Sequence, residues 1–282
     1  RLVAVGMNAL VSNTTGNNNV AVGNNSLDAN TTGADNVAMG YNTLSASTTA
    51  SNNTAIGHKV LEDSTSGAQL TGLGGFALTN NTTGDDNTAL GYGTLSSNTT
   101  GSHNTSVGRH ALNANTTADN NTAIGRSALL LNTTGTRLTA VGANALDANT
   151  TGNDNTAIGQ NSQTRTTTGS ANTSIGRESM DKNTTGENNV AVGMYALYGN
   201  TTADNNTACG KSALETNTTG TRNTAVGRSA LLVSTTSSDN TAVGAYSLDA
   251  NTTGSLNVAV GRYSLSANTT GLKNTAIGGN AL

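Results

Sequence analysis

The 282-residue sequence contains no proline and no tryptophan, and aromatic residues make up only 2% of it. A globular core of this size normally draws on Phe, Trp and many Leu, so the shortage argues against an ordinary compact domain. No apolar run reaches the roughly 18 residues that a membrane-spanning helix needs. Charged residues are 10% and the net charge is −3, which gives no electrostatic basis for binding nucleic acid.

Reactive and metal-binding residues are equally scarce. Cys209 is the one cysteine and cannot form an internal disulfide. It occupies a position that is otherwise Val, Ile, Leu or Met, so we expect it to be a small buried apolar residue. The histidines His58, His103 and His110 have no ligand-spaced companions, and no GxSxG, CxxC or phosphate-binding loop is present. We therefore expect no metal site, no cofactor and no enzymatic active site in this segment.

What the sequence does contain is a 17-residue repeat. Glycine recurs at this interval from Gly6 to Gly278, and the repeat reads x-x-N-T-A-[VI]-G-x-x-[AST]-L-x-x-N-T-T-G, as in residues 85–101. We number its positions 1 to 17 so that the recurring glycine is position 7. Self-similarity at a short fixed period predicts that successive repeats stack like on like. We treat residues 1–282 as a single array of about 17 coils and expect it to be an uncapped fragment of a longer fibre, with different sequence at the tips of the full chain.

The residues of each repeat predict strands and corners. Position 4 is Thr or Val, position 5 is mostly Ala and position 6 is always apolar, which indicates a short strand. The small residue at position 10 and the Leu at position 11 suggest a second strand. The glycine at position 7 predicts a corner with positive φ or a close backbone approach, and Asn-Thr-Thr-Gly predicts a turn in which Asn and Gly are left-handed. The fold class is therefore all-β, a parallel β-solenoid (β-roll) of 17-residue coils about 4.8 Å apart.

The pattern leaves two packings of this coil open. Either position 5 and the Leu of position 11 fill the interior, or position 6 and the same Leu do. Because neither face of the strand carries a charge, we expect both faces to be covered, and we expect Val226 of position 6 to be a core residue. Either packing leaves an uncharged stripe that a soluble monomer would avoid exposing, so we expect a homotrimer that shares it. The alternative is a monomeric triangular solenoid closed by the Asn-Thr-Thr corner.

Variation is confined to a few positions of the repeat. All 29 charged residues fall at positions 1, 2, 8, 9, 12 or 13, which we expect to form the solvent face. The recurring Asn at positions 3 and 14 predict amide ladders between stacked coils. Every tyrosine also lies at one of the variable positions, so we expect possible surface contacts for sugars or partners at Tyr41, Tyr92, Tyr195, Tyr198, Tyr246 and Tyr263.

The segments Asn-Thr-Ala-Ile-Gly at 121–125, 155–159 and 274–278, each followed by x-x-[AS], support a resemblance. They resemble the head repeats of trimeric autotransporter adhesins and the similar repeats of phage and large-virus fibres. The resemblance implies a left-handed parallel β-roll with three chains about one axis. This sequence departs from the adhesin heads in its longer, 17-residue repeat with an extended Asn-Thr-Thr-Gly corner.

We therefore expect a structural and adhesive extracellular fibre segment, at a cell surface or virion surface. Its partners would be two further copies of the chain and a carbohydrate or cell-surface receptor. The alternative is an ice-binding β-solenoid that uses the Thr ladders of positions 15 and 16. Against it, adjacent Thr point to opposite faces of a strand, whereas two ranks on one face need T-x-T.

Overall fold

The computed structural model describes residues 1–282 and contains no helix, and hence none that could cross a membrane. The chain forms two compact units, an N-terminal unit of residues 1–138 and a C-terminal unit of residues 139–282. The strands of the N-terminal unit are β1 (Leu2–Val5), β2 (Asn19–Val22), β3 (Val37–Met39), β4 (Thr54–Ile56), β5 (Thr71–Leu73), β6 (Thr88–Leu90), β7 (Thr105–Val107) and β8 (Thr122–Ile124). Those of the C-terminal unit are β9 (Thr139–Val141), β10 (Thr156–Ile158), β11 (Thr173–Ile175), β12 (Val190–Val192), β13 (Thr207–Cys209), β14 (Thr224–Val226), β15 (Thr241–Val243), β16 (Val258–Val260) and β17 (Thr275–Ile277).

Within each unit the strands pair in parallel with a constant register. In the N-terminal unit, β1 to β8 pair in chain order, and each residue lies opposite the one 17 positions later, as Thr54 lies opposite Thr71. In the C-terminal unit, β9 to β17 pair in the same way, with Thr224 opposite Thr241. One repeat is therefore one coil. The predicted all-β parallel β-solenoid of 17-residue coils is confirmed.

The interior of each coil is filled by position 5 and position 11. Ala225 and Leu231 have no exposed surface, and the same holds for their equivalents in nearly every coil. Val226 is 37% exposed, because its side chain points to the opposite face of the three-residue strand. Of the two packings, the one with Ala and Leu inside is therefore correct. The expectation that Val226 is a core residue, and that both strand faces are covered, is wrong for the chain by itself.

The predicted second strand does not form. Positions 10 and 11 lie in a turn, and the Leu of position 11 is left-handed, with φ of +52° at Leu44. Hydrogen bonds between coils persist there all the same, because the Leu44 N–H donates to the Val60 carbonyl of the next coil (3.0 Å). The left-handed residue turns the chain while its side chain stays buried, so each coil has one strand and a long turn.

The predicted amide ladders form at both Asn positions. At position 3, Asn206 donates its backbone N–H to Asn189 Oδ1 (2.9 Å) and its Nδ2 to the Gly220 carbonyl (2.9 Å). At position 14, Asn200 donates its Nδ2 to Asn183 Oδ1 (2.8 Å). Both side chains are fully buried. The polar interior is stable because these amides find partners in their own coil and in a neighbouring one.

The two recurring glycines of the repeat have different backbone conformations. At position 7 the backbone has positive φ, as at Gly74 (+116°), and a Cβ there would lie 2.8 Å from the Gly91 carbonyl of the next coil. The predicted corner with close approach is confirmed. The glycine of position 17 is not left-handed, nor is the Asn of position 14, so that part of the turn prediction is wrong. The left-handed residues lie at positions 2, 9 and 11, such as Asp86 and Phe76.

The solvent surface is larger than the six variable positions. Positions 4, 6, 15 and 16 also reach the surface, as Thr202 at position 16 does. The Thr of position 15 is half-buried and donates its hydroxyl to the next coil, as Thr184 Oγ1 does to the Thr201 carbonyl (2.9 Å). Some variable positions are partly covered instead, and Asp147 at position 12 is one of them. The core of each coil is correspondingly narrow, consisting of positions 3, 5, 10, 11, 14 and 17.

Candidate functional site

The strand face, defined as the side chains of positions 4 and 6, is a continuous uncharged surface within each unit. It carries Thr or Val in one row and mostly Val, Ile or Leu in the other. Ile158, Ile175 and Val243 are between 37% and 39% exposed. Cys209 lies in the same row, opposite Val226 of the next strand, and is exposed. The expectation that Cys209 is buried is therefore wrong for the single chain, because position 6 points outward.

The predicted surface tyrosines fall into three groups. Tyr41 and Tyr92 belong to the N-terminal unit and are 45% and 51% exposed. In the C-terminal unit, Tyr195 contacts Tyr198 edge to face (centroids 5.7 Å apart), and Tyr246 stacks on Tyr263 (5.1 Å). All six lie outside the core, at the turns that follow the strands.

Tyr41 and Tyr92 are connected by other rings into an aromatic ladder, defined as Tyr41, His58, Phe76, Tyr92 and His110. Successive ring centroids are 5.5, 5.0, 5.6 and 5.7 Å apart. Tyr41 and His58 are stacked, whereas each later pair meets edge to face. The rings therefore form one band across five coils of the N-terminal unit.

Sequence reasoning did not assign His58 and His110 to a site. The ladder uses both position 8 and position 9 of the repeat, so neither position by itself reveals it in the sequence. A weak signal exists in the glycines beside two of the rings. Gly75 occupies position 8 where Phe76 occupies position 9, and Gly93 occupies position 9 where Tyr92 occupies position 8.

An open cleft of about 340 Å³ lies along this ladder. Phe76, Tyr92 and His110 form its apolar part. Neutral polar side chains complete the lining, among them Asn80, Ser96 and Asn113. No lining residue carries a fixed charge. The cleft therefore combines ring surfaces with amide and hydroxyl groups, which suits an uncharged ligand that has both apolar and hydrogen-bonding faces.

The tyrosines of the C-terminal unit are covered by cations instead. Arg177 lies over the Tyr195 ring (5.3 Å to its centroid) and also donates a hydrogen bond to the Tyr195 hydroxyl. Lys182 lies 4.8 Å from the Tyr198 ring, and Arg228 and Arg262 cover Tyr246 and Tyr263. Burial, followed by the negative charges of Asp181 and Glu178, raises the pKa of Tyr198. These rings are held in cation–π contacts that leave less ring surface for a ligand.

A second hollow, of about 410 Å³, lies beside Tyr198. Lys182 and Glu215 line it together with Thr201, Thr216 and Thr218. Its walls carry opposite charges and one partly covered ring, so it lacks the uniform chemistry of the cleft along the aromatic ladder.

Three aspartates at position 12 are partly buried. Burial raises the pKa of Asp28, Asp147 and Asp249, to about 6 at Asp147, where the charge of Asp181 also contributes. One carboxylate oxygen of each is buried without a hydrogen-bond partner. They lie in separate parts of the chain, and no group of three or more His, Cys, Asp or Glu side chains is placed to hold a metal ion.

Comparison with protein-family models, curated proteins and solved structures finds no match.

Proposed function

We propose that the chain is a segment of an extracellular structural and adhesive fibre, in which three copies associate through their strand faces. One observation carries the proposal. The strand face has no charged residue in any repeat, while the variable positions carry all 29 charges of the chain. A soluble monomer rarely exposes a continuous row of apolar side chains such as that of position 6, and a symmetric homo-oligomer would cover it.

The repeat separates nearly invariant buried positions from variable surface positions, and this separation supports the proposed adhesive function. Positions 3, 5, 11 and 14 repeat almost unchanged because each is buried. Positions 3, 11 and 14 are also hydrogen-bonded to a neighbouring coil. The remaining corners tolerate rings and both signs of charge. Such a scaffold keeps its stability while its surface varies, as binding surfaces on rigid repeat scaffolds do. The resemblance to adhesin heads and viral fibres adds a left-handed coil and a location at a cell or virion surface to this proposal.

Sedimentation equilibrium of the dilute, purified chain tests the association. We expect a mass about three times the 28.1 kDa of one chain. Val226→Asp places a charge on the strand face and should give a folded monomer. Arg228→Asp lies two residues further on, away from that face, and should leave the mass unchanged. A stable 28.1 kDa monomer of the unaltered chain would contradict the trimer.

Cys209 provides an independent probe of the same interface. It is exposed in the single chain and lies beside Val226 on the strand face. In a trimer we expect native Cys209 to react slowly with a maleimide and to react fully in urea. The Val226→Asp variant should expose the thiol without denaturant. Rapid labelling of the native, unaltered chain would show that the strand face is not shared.

The alternative is an ice-binding β-solenoid. The observation in its favour is that the Thr of position 16 are exposed in a rank, as Thr202 and Thr219 are. The Thr of position 15 are committed to hydrogen bonds between coils, which leaves a single rank rather than two. A thermal-hysteresis measurement separates the two functions. Depression of the freezing point together with a monomeric mass would favour ice binding over the fibre.

A further inference from the structure

We propose that the cleft of the aromatic ladder binds a neutral saccharide, with a sugar ring lying against Phe76, Tyr92 and His110 while Asn80, Ser96 and Asn113 bond its hydroxyls. This inference rests on the adhesive function proposed above and assigns it a ligand class and a site.

The ring surfaces are the first support. The chain has only six tyrosines and one phenylalanine, and two tyrosines and the phenylalanine belong to this one band. Tyr92 is 51% exposed, and no cation covers any ring of the ladder, in contrast to the tyrosines of the C-terminal unit. Exposed rings with one apolar and one polar end are typical binding residues. The C–H face of a sugar ring is a suitable partner for them.

The polar side chains are the second support. Asn113 donates its Nδ2 to the Gly93 carbonyl (2.9 Å) and to Ser96 Oγ (2.7 Å), which fixes the amide and leaves its Oδ1 as an acceptor. Ser96 Oγ retains its own hydrogen for donation. Asn80 is exposed, and its side chain makes no hydrogen bond within the chain. Donors and acceptors are thus both present beside the rings, as a polyhydroxylated ligand requires.

Gly93 allows the His110 ring to take its place in the wall of the cleft. Its φ is +61°, but Phe76 and His110 occupy the same repeat position with φ of +61° and +56°, so the backbone does not require glycine. A Cβ on Gly93 would lie 2.8 Å from His110 Nδ1. The missing side chain therefore leaves space for the His110 ring. The volume of about 340 Å³ is large enough for about one or two sugar rings.

Charge and backbone geometry argue against other ligands. A charged sugar or a phosphate would find no countercharge among the lining residues. An extended peptide would need free backbone groups on a sheet edge. Here the Gly93 N–H donates to the Gly75 carbonyl (2.9 Å) and the His110 N–H to the Tyr92 carbonyl (3.0 Å), so these groups are already paired between coils.

Titration calorimetry and NMR on the full chain test the site. The probes are neutral hexasaccharides of glucose, mannose, galactose and N-acetylglucosamine, with an oligogalacturonate as the acidic control. We expect at least one neutral probe to bind with a dissociation constant on the order of 1 mM or lower. Its binding should shift the ring signals of Tyr92 and His110. Binding of the acidic probe alone, or of none of the probes, would overturn the proposal.

Matched variants locate the binding. Tyr92→Ala and Asn80→Ala should each weaken it at least about fivefold, because each removes a direct contact. Tyr263→Ala removes a half-buried tyrosine of the C-terminal unit that does not line the cleft, and it should leave the affinity unchanged. Because Asn80 is exposed, Asn80→Ala should fold normally, and it therefore tests the position of the site even if Tyr92→Ala unfolds. Equal affinities in all variants would overturn the site. A trimer that binds no neutral sugar removes this inference but leaves the fibre proposal intact.

Discussion

The side chain of Asn19 accepts the backbone N–H of Asn36, one coil further along, at 2.9 Å. It also donates its Nδ2 to the Gly33 carbonyl within its own coil, at 2.8 Å. One buried amide thus joins two sides of a coil and fixes the next coil against it. The arrangement explains how a chain with so few large apolar residues keeps its coils in register, since hydrogen bonds here supply directionality that a small apolar core lacks.

We predict that Asn206→Ala destabilises the chain by about 1–3 kcal/mol, because it leaves the buried N–H of Asn223 without a partner. The Gly220 carbonyl loses one of its two amide donors and keeps the bond from Asn217 Nδ2 (2.9 Å). Asn206→Leu should cost less, since Leu70 fills the equivalent position with 1% exposure. The exposed Thr202→Ala is the control and should change stability by less than about 0.5 kcal/mol. Urea denaturation measures all three. Equal losses for Asn206→Ala and Thr202→Ala would refute the role of the ladder.

Two adjacent glycines give a sharper contrast. Gly74→Ala should destabilise by about 3 kcal/mol or more, because φ is +116° and a Cβ would lie 2.8 Å from the Gly91 carbonyl. Gly75→Ala places its Cβ 3.5 Å from the nearest atom of Tyr92, an ordinary contact. It should change stability by less than about 0.5 kcal/mol. Thermal denaturation followed by circular dichroism compares the two. Similar melting temperatures would show that the corner at position 7 can adapt.

The features that could be predicted from the sequence are those that recur with the 17-residue period. The repeat length, the strand and the glycine corner recur in every coil, the two Asn recur in most coils, and each of these features has one physical explanation. The direction of Val226 does not follow, because a three-residue strand without charge on either face has no polar side to mark the solvent. The left-handed conformation of Leu44 could not be predicted from the sequence either, because a bulky residue ordinarily avoids positive φ. In the sequence, an apolar Leu next to a small residue indicates a strand, and only the backbone of the structure shows that the two residues lie in a turn.

The candidate binding site could be predicted only in part, because its residues do not all recur with the repeat. Its tyrosines could be found because they fall at variable positions, but the histidines between them differ in context from coil to coil. Contact between Phe76 and Tyr92 depends on which way each ring turns from a corner. That direction is set by neighbouring coils and not by the residue's own repeat.

Gln163 marks a place where the chain departs from its own repeat at a cost. It occupies position 11, is fully buried, and its Oε1 has no hydrogen-bond partner. Gln163→Leu restores the residue of most other coils and should stabilise the chain by about 1–2 kcal/mol. Met180→Leu, at the same position of the next coil, changes no polar group and should be nearly neutral. Thermal denaturation of both variants checks this prediction. A loss of stability in Gln163→Leu would mean that the hydrogen bond from Gln163 Nε2 to the Thr156 carbonyl (3.2 Å) stabilises the chain by more than the unpaired oxygen costs.

Asp147 should make stability depend on pH in the opposite direction from an ion-paired carboxylate. Burial raises its pKa from 3.8 to about 6, so the folded chain holds the proton more tightly than the unfolded chain does. Below pH 3.8 both states are protonated and nothing is lost. As the pH rises from 3.8 through 6, the charged form is increasingly penalised in the folded state, and the loss is complete above pH 6.

Asp147→Asn should therefore stabilise the chain at pH 7.5 by about 1 kcal/mol, a value reduced from the full shift because the carboxyl is partly solvated. At pH 3 the variant and the unaltered chain should have the same stability. Asp239→Asn is the matched control of opposite sign, since a hydrogen bond from Arg222 (2.7 Å) lowers the pKa of Asp239. It should not stabilise the chain at pH 7.5. Melting temperatures recorded between pH 3 and pH 8 compare the variants, and a gain for Asp147→Asn that persists at pH 3 would show that its cause is packing rather than charge.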